Sequence, residues 1–215
     1  MGSLLSVGYK VPEYITWLKR TGIGYGDAIL DVGSGNGDIL TKMLQAGFTN
    51  LCGIDPFLKE EFISANGNLK LLERSIFDKQ ERDSFDLVML NHSFEHMDDP
   101  QAIFQRVSEL LKPAKMLLIR TPVNRSFASK KYKANWVDMD PPGHLVVHSN
   151  KSIQLLTDKN GFVLEQVVYD STAFQFWGSE QYIKGIPLYH PQSYSVNKKN
   201  TSLYRKADSR METAS

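Results

Sequence analysis

The run Ile29-Leu30-Asp31-Val32-Gly33-Ser34-Gly35-Asn36-Gly37-Asp38 sets an acid ahead of three alternating glycines. Apolar residues before the glycines and helical spacing after them predict a strand, a tight turn and a helix. Glycines admit positive φ and let a ligand approach the backbone, and the first N–H groups of the helix behind them are free to donate. A P-loop needs Lys-Ser/Thr after its last glycine, but Asp38-Ile39 stands there. A dinucleotide fingerprint needs Gly-x-Gly-x-x-Gly, but counting from Gly33 puts Asp38 in the last place, and Asp31 would repel a pyrophosphate. An acid beside Gly-x-Gly-x-Gly suits a cationic ligand without phosphate. S-adenosylmethionine is such a ligand, with a sulfonium, an amino-acid head and a ribose. Gly53-Ile54-Asp55 ends the next apolar run, 18 residues after Gly37, where a carboxylate can accept both ribose hydroxyls. Enzymes that bind NAD share that acid, so Asp55 alone does not separate the two cofactors. Its other reading is a cap for a helix starting at Pro56.

A second concentration of titratable groups lies in Asn91-His92-Ser93-Phe94-Glu95-His96. His92, Glu95 and His96 stand at i, i+3 and i+4 and would share one face of a helix. The same spacing occurs in zinc proteases of the His-x-x-Glu-His kind. Proteolysis is set aside, because that chemistry needs a third ligand and has no use for a glycine loop upstream. No resident metal is assigned, and a divalent ion that helps deprotonate a hydroxyl is the softer version of the idea. His144, in Asp138-Met139-Asp140-Pro141-Pro142-Gly143-His144, is a substrate-facing base candidate level with His92 and His96. For each histidine a structural hydrogen bond is the plain alternative. Trp136, Phe174, Phe176, Trp177 and Tyr182 could wall a ring or sugar, although core packing accounts for most such residues. Lys130, Lys131 and Lys133 read as a solvated face, or more boldly as a grip on a phosphate-bearing acceptor.

These groups must be positioned by alternating strands and helices. Buried strands are expected at 28–32, 50–55, 69–73, 85–90 and 116–119, with helices at 38–46, from Pro56, and at 100–112. Strand alternating with helix argues for a parallel, doubly wound α/β sheet whose ligands sit at the carboxyl ends of the strands. Residues 123–148 interrupt the rhythm and read as an insertion that covers the substrate. A helix follows at 149–159, capped by Ser149 or Asn150, then a strand at 162–169 and a polar tail from Pro191 to Ser215. The domain is therefore placed at 1–190 and the tail at 191–215.

Residues 28–122 resemble the core of the class I S-adenosylmethionine-dependent methyltransferases. The resemblance rests on Leu30-Asp31-Val32-Gly33-Ser34-Gly35-Asn36-Gly37, Gly53-Ile54-Asp55, Ser84-Phe85-Asp86-Leu87-Val88, Phe94-Glu95-His96 and Leu111-Lys112-Pro113. Ala114-Lys115 departs from it, since similar proteins usually carry Gly-Gly after Lys-Pro. The resemblance implies a Rossmann-like fold in which Asp31, Gly33 and Gly35 line the methionine end of the donor and Asp55 binds its ribose. Phe57 or Ile76 flanks the adenine, Asn91 faces the methyl group, and Ser34, Gly37 and Pro56 complete the cofactor set. Similar proteins close their sheet with a last antiparallel strand. No convincing candidate follows Tyr194, so the expected sheet allows for its absence. Pro142-Gly143-His144-Leu145, Gly161-Phe162 and residues 174–182 resemble a small bacterial branch associated with cell-surface polysaccharides. Methyl transfer from a sulfonium is an in-line displacement, so alignment is the main task, and an alcohol or ammonium acceptor also needs a base. The expected reaction is O-methylation of a small-molecule or glycan-like acceptor, yielding S-adenosylhomocysteine. The alternatives are an NAD-dependent oxidoreductase and a non-catalytic binder of the same donor.

Composition narrows the partners. With 25 basic and 24 acidic residues there is no bulk electrostatic grip on nucleic acid or an anionic membrane. A single cysteine, Cys52, excludes an intrachain disulfide and a multi-cysteine zinc module. No apolar run is long enough to span a bilayer. Met1-Gly2-Ser3-Leu4-Leu5-Ser6 loosely fits an N-myristoylation pattern, but a start codon followed by small residues is the preferred reading. A cytoplasmic protein is expected, and a homodimer is left open.

Overall fold

A computed structural model describes residues 13–78 and 81–198. The 1–6 motif and the tail beyond 198 lie outside the described residues. In chain order the elements are α1 (Glu13–Thr21), β1 (Ile29–Val32), α2 (Asp38–Gln45), β2 (Leu51–Ile54), β3 (Phe62–Ile63) and β4 (Leu69–Leu72). They continue with β5 (Phe85–Asn91), α3 (Pro100–Leu110), β6 (Leu111–Arg120), α4 (Phe127–Tyr132), α5 (Asn150–Lys159) and α6 (Phe174–Ile183). The chain divides into two compact units, residues 1–93 with 105–120, and residues 94–104 with 121–215.

The first unit carries a six-stranded sheet in the order β3-β4-β2-β1-β5-β6. All pairings are parallel except β3 with β4 at one edge. The chain winds outward from β1 in both directions, which is the doubly wound α/β arrangement read from the sequence. The central strands are sealed, with Ile29, Leu30, Leu87, Val88, Met89 and Leu90 at 0% exposure. Leu40 and Met43 of α2 join Ile29, Leu51, Leu69, Leu87 and Met89 in one apolar cluster. This continuous burial explains why these strands read as short unbroken apolar runs. Order reverses between β1 and β5, so their carboxyl ends, Val32 and Asn91, flank the switch point where such sheets hold ligands.

The first half of β6 contains the departure at Ala114. Its φ is 58°, a left-handed value that favours glycine. Lys112 and Lys115 on either side both reach Asp86, at 2.6 and 3.0 Å. The Ala28 N–H donates to the same carboxylate at 3.0 Å. Burial alone would raise the Asp86 carboxyl. The hydrogen bonds from Lys112, Ala28 and Lys115 outweigh it and hold the group at about 2.

Two expected elements do not form. No helix follows Pro56. Asp55 and its neighbours make a turn in which the Leu58 N–H donates to the Asp55 carbonyl, and the chain then runs into β3. Phe57-Leu58-Lys59-Glu60-Glu61 gives a helix too little apolar face to bury: Leu58 is buried, whereas Phe57 is 88% exposed. Residues 162–169 form no strand either. Val163 is 84% exposed and Tyr169 68% exposed, so the segment buries too little side chain to be held as a strand. Beyond β6 there is no further strand among the described residues. The boundary between α3 and β6 falls at Leu110/Leu111, and β6 extends well beyond the expected 116–119.

The second unit is helical. Residues 123–148, read as an insertion, hold α4 and two short 3-10 turns at Lys133–Asn135 and Val137–Met139. Ala128, Tyr132, Trp136, Phe176 and Trp177 form its core. The Tyr132 hydroxyl donates to Glu180 at 2.9 Å. Ser149 caps α5, its hydroxyl accepting from the Ser152 N–H while the Ser152 side chain accepts from the Ser149 N–H. Residues 191–198 contain only turns, yet Ser193 is fully buried against Gln181.

Candidate functional site

The corner after β1 is shaped by close approach. Gly33, Gly35 and Gly37 have φ of 75°, 54° and 74°. A Cβ on Gly33 would meet that of Ser93 at 2.4 Å, and one on Gly37 would meet Leu71 at 2.6 Å. Nothing lies within 4 Å of a Cβ on Gly35. Gly33 and Gly37 are thus glycines because protein packs against them, while Gly35 leaves an open, exposed face. The Ser93 hydroxyl donates to the Val32 carbonyl at 2.6 Å and locks the corner against the end of β5.

Asp31 sits below that corner at 3% exposure, and its Oδ1 has no partner. Ser34 Oγ is likewise buried and unpartnered. Burial first, and then the charge of Asp55, push the Asp31 carboxyl up to about 7. A buried carboxylate oxygen without a donor costs free energy that a cationic or N–H-bearing ligand would recover. Asp55 stands at the end of β2, where it accepts from the Gly35 N–H at 2.9 Å and the Phe57 N–H at 2.8 Å. It braces the glycine turn, with a lone pair left on each oxygen. Pro56 and Phe57 are exposed beside it, and Ile76 is buried in a 3-10 turn. Asn91 ends β5, where its Oδ1 accepts from Arg120 at 3.0 Å, and the Arg120 guanidinium lies 4.9 Å from the Trp17 ring centroid. The residues present fit S-adenosylmethionine: an acid for the cationic end, open glycine backbone and a carboxylate for ribose hydroxyls.

In the second unit, Glu95, His96 and His144 converge, with one donor atom from each within 4.8 Å of the others. A 3-10 turn, Phe94–His96, presents the first two. His144 is brought to them because the Leu145 and Val146 N–H groups donate to the Glu95 carbonyl at 2.8 and 3.2 Å. His96 Nδ1 lies 2.8 Å from the Gly143 carbonyl, and His144 Nδ1 lies 2.8 Å from the Asp138 carbonyl. A carbonyl only accepts, so each Nδ1 carries the proton and each neutral ring has its lone pair on Nε2. Glu95 is 1% exposed and its Oε2 accepts from the Thr121 hydroxyl at 3.0 Å. His148 stacks on Phe94 at 4.5 Å. Burial pushes its pKa down against the opposing pull of Glu95.

His92 does not belong to this cluster. It is an exposed residue with φ of 51°, whose N–H donates to the Arg120 carbonyl at 2.8 Å. Only a short 3-10 turn, Phe94–His96, forms in this stretch, so the helical face that His92 would share is not made. Trp136, Phe176 and Trp177 are core residues, as the plain reading had it. Sequence reasoning missed Ser93 and Arg120, which brace the corner and Asn91. A serine just after a strand and an arginine at a strand end carry no spacing signal.

The family described as "Methyltransferase domain" matches residues 10–167. The chain belongs to that family. This methyltransferase domain is 29% identical over 127 residues to the tRNA U34 carboxymethyltransferase of Alteromonas mediterranea, a match covering 53% of this chain and 36% of that protein. The chain thus spans about a third of the length of that curated relative. Among solved structures, phosphoethanolamine N-methyltransferase 2 of Haemonchus contortus with S-adenosyl-L-methionine aligns at a TM-score of 0.58 and 19% identity, covering 93% of this chain and 47% of the other. Mycolic acid cyclopropane synthase CmaA1, complexed with S-adenosylhomocysteine and CTAB, aligns at 0.59 and 19%, covering 92% and 78%. At this identity the likeness shows the fold. The domain has the class I methyltransferase fold, and the two neighbours are complexed with S-adenosyl-L-methionine and S-adenosylhomocysteine. No described helix is long and apolar enough to cross a membrane.

Proposed function

We propose that this domain methylates an oxygen of a small or glycan-like acceptor in the cytoplasm. The observation that carries the donor side is the buried, unpartnered Oδ1 of Asp31, on the strand that leads into the open face of Gly35. S-adenosylmethionine supplies an electrophilic methyl on a sulfonium. Asp31 and Ser34 would hold its amino-acid end, and Gly33, Gly35 and Gly37 would give the backbone room to approach. Asp55 with Pro56 would take the ribose, Phe57 or Ile76 the adenine edge, and Asn91 would stand near the methyl group. Oxygen is favoured as acceptor because an alcohol must lose a proton and His96 and His144 present neutral Nε2 lone pairs. His92 remains a third base candidate from the sequence. The even charge balance favours a small acceptor over nucleic acid, although a tRNA enzyme is among the relatives.

Calorimetry with S-adenosylhomocysteine and NAD tests the donor side. The expected result is binding of the first and indifference to the second; the reverse result would restore an oxidoreductase. Transfer of labelled methyl to a panel of phenols, sugars, amines and tRNA tests the acceptor. Label appearing only on amines or tRNA rejects O-methylation.

A further inference from the structure

We propose that Glu95, His96 and His144 form a binding site for a first-row divalent cation such as zinc or cobalt. Two imidazoles and one carboxylate, with the remaining positions open, form a donor set of borderline softness that suits such ions better than magnesium or calcium. In each ring the Nδ1–H is already spent on a backbone carbonyl at 2.8 Å, the outer bond that metal-bound histidines make to fix their tautomer. The Thr121 hydroxyl makes the matching bond to the Glu95 carboxylate at 3.0 Å. The residues come from two distant stretches of chain, pinned by the Leu145 and Val146 N–H groups on the Glu95 carbonyl.

The distances are near what an ion needs. Two ligands at about 2.1 Å from one metal are at most about 4.2 Å apart. A cluster already within 4.8 Å closes by rotating the exposed His96 ring, with the buried Glu95 as the fixed anchor. His96 is exposed and His144 half-buried, so an ion can enter from solvent. Such an ion would lower the pKa of a hydroxyl bound in its open position, which is how it would serve an oxygen acceptor. That role rests on the methyl-transfer reading, whereas the binding of the ion does not. It also replaces the sequence-level expectation of no resident metal.

The test uses the whole chain stripped with a chelator and titrated with Co²⁺, followed by visible absorption and calorimetry. One ion per chain is expected at micromolar protein, with ligand-field bands that report nitrogen ligation. His96→Ala and His144→Ala should each weaken binding by about 100-fold, and Thr121→Val by about 10-fold. His190→Ala should bind as the parent does. His96 is exposed, so its variant is informative even if Glu95→Gln fails to fold. The same samples are titrated with S-adenosylhomocysteine, which reads the other unit. No uptake at micromolar protein, or uptake unchanged in His96→Ala, overturns the metal site while leaving the donor reading intact. Cobalt uptake without S-adenosylhomocysteine binding sinks the methyl-transfer reading and leaves the metal site standing.

Discussion

At the scale of single residues, Asp31 concentrates the most free energy. Its folded-state pKa of about 7 lies above the ordinary carboxylate value, so the folded protein holds a proton that the unfolded chain has released. The stability this gives is fully present below pH 4, declines as pH rises, and is gone once pH has passed about 7. Thermal melts of the ligand-free protein should therefore fall from pH 5 to pH 8, and Asp31→Asn should flatten that slope. A cationic ligand favours the ionised form, so affinity for S-adenosylmethionine should rise over the same interval. Calorimetry in buffers of differing ionisation heat should detect proton release at pH 6. In Asp31→Asn both proton effects should vanish and affinity should drop by about 1.5–3 kcal/mol, the scale of hydrogen bonds to charged groups. Unchanged affinity would remove Asp31 from the donor site.

At the scale of elements, the first half of β6 and the start of α5 make separate tests. Ala114 occupies a left-handed backbone position, so Ala114→Gly should stabilise the protein by about 1 kcal/mol in denaturant melts. The nearby Asp86 is the opposite case to Asp31, with its folded-state pKa held down at about 2. Its stabilisation is present above the usual carboxylate pKa and lost as pH falls from about 4 to about 2. Its lysine partners are about two-fifths exposed and solvent screens them, so the loss should be about 1 kcal/mol and should disappear in Asp86→Asn. Ser149→Ala breaks a reciprocal cap and should cost about 1 kcal/mol, with α5 the first helix to lose amide protection in hydrogen exchange.

At the scale of the whole molecule, donor binding and folding are linked. S-adenosylhomocysteine at about 100 times its dissociation constant should add about 2.7 kcal/mol to unfolding free energy, seen as a raised Tm that NAD does not reproduce. The five parallel strands were legible in the sequence, and the short antiparallel edge strand β3 was not. Fully buried parallel strands must be apolar throughout, and the glycine corner is confined to residues that tolerate positive φ and close packing. The short apolar stretch after Pro56 and the one at 162–169 misled, because periodicity reports a preference and not a partner. Val163 and Tyr169 have strand-like character but stay exposed, and no strand forms there.

The sequence by itself determined the α/β alternation, the corner at Asp31–Gly37 and the acid at the end of the second parallel strand. These are local: each follows from burial, turn geometry or the chemistry of neighbours along the chain. Only the tertiary structure decided that Gly33 and Gly37 serve packing while Gly35 stays open, and that His144 joins His96 and Glu95 while His92 does not. Those facts depend on contacts between stretches as far apart as residues 95 and 145, and a single chain of letters carries no term for such distances.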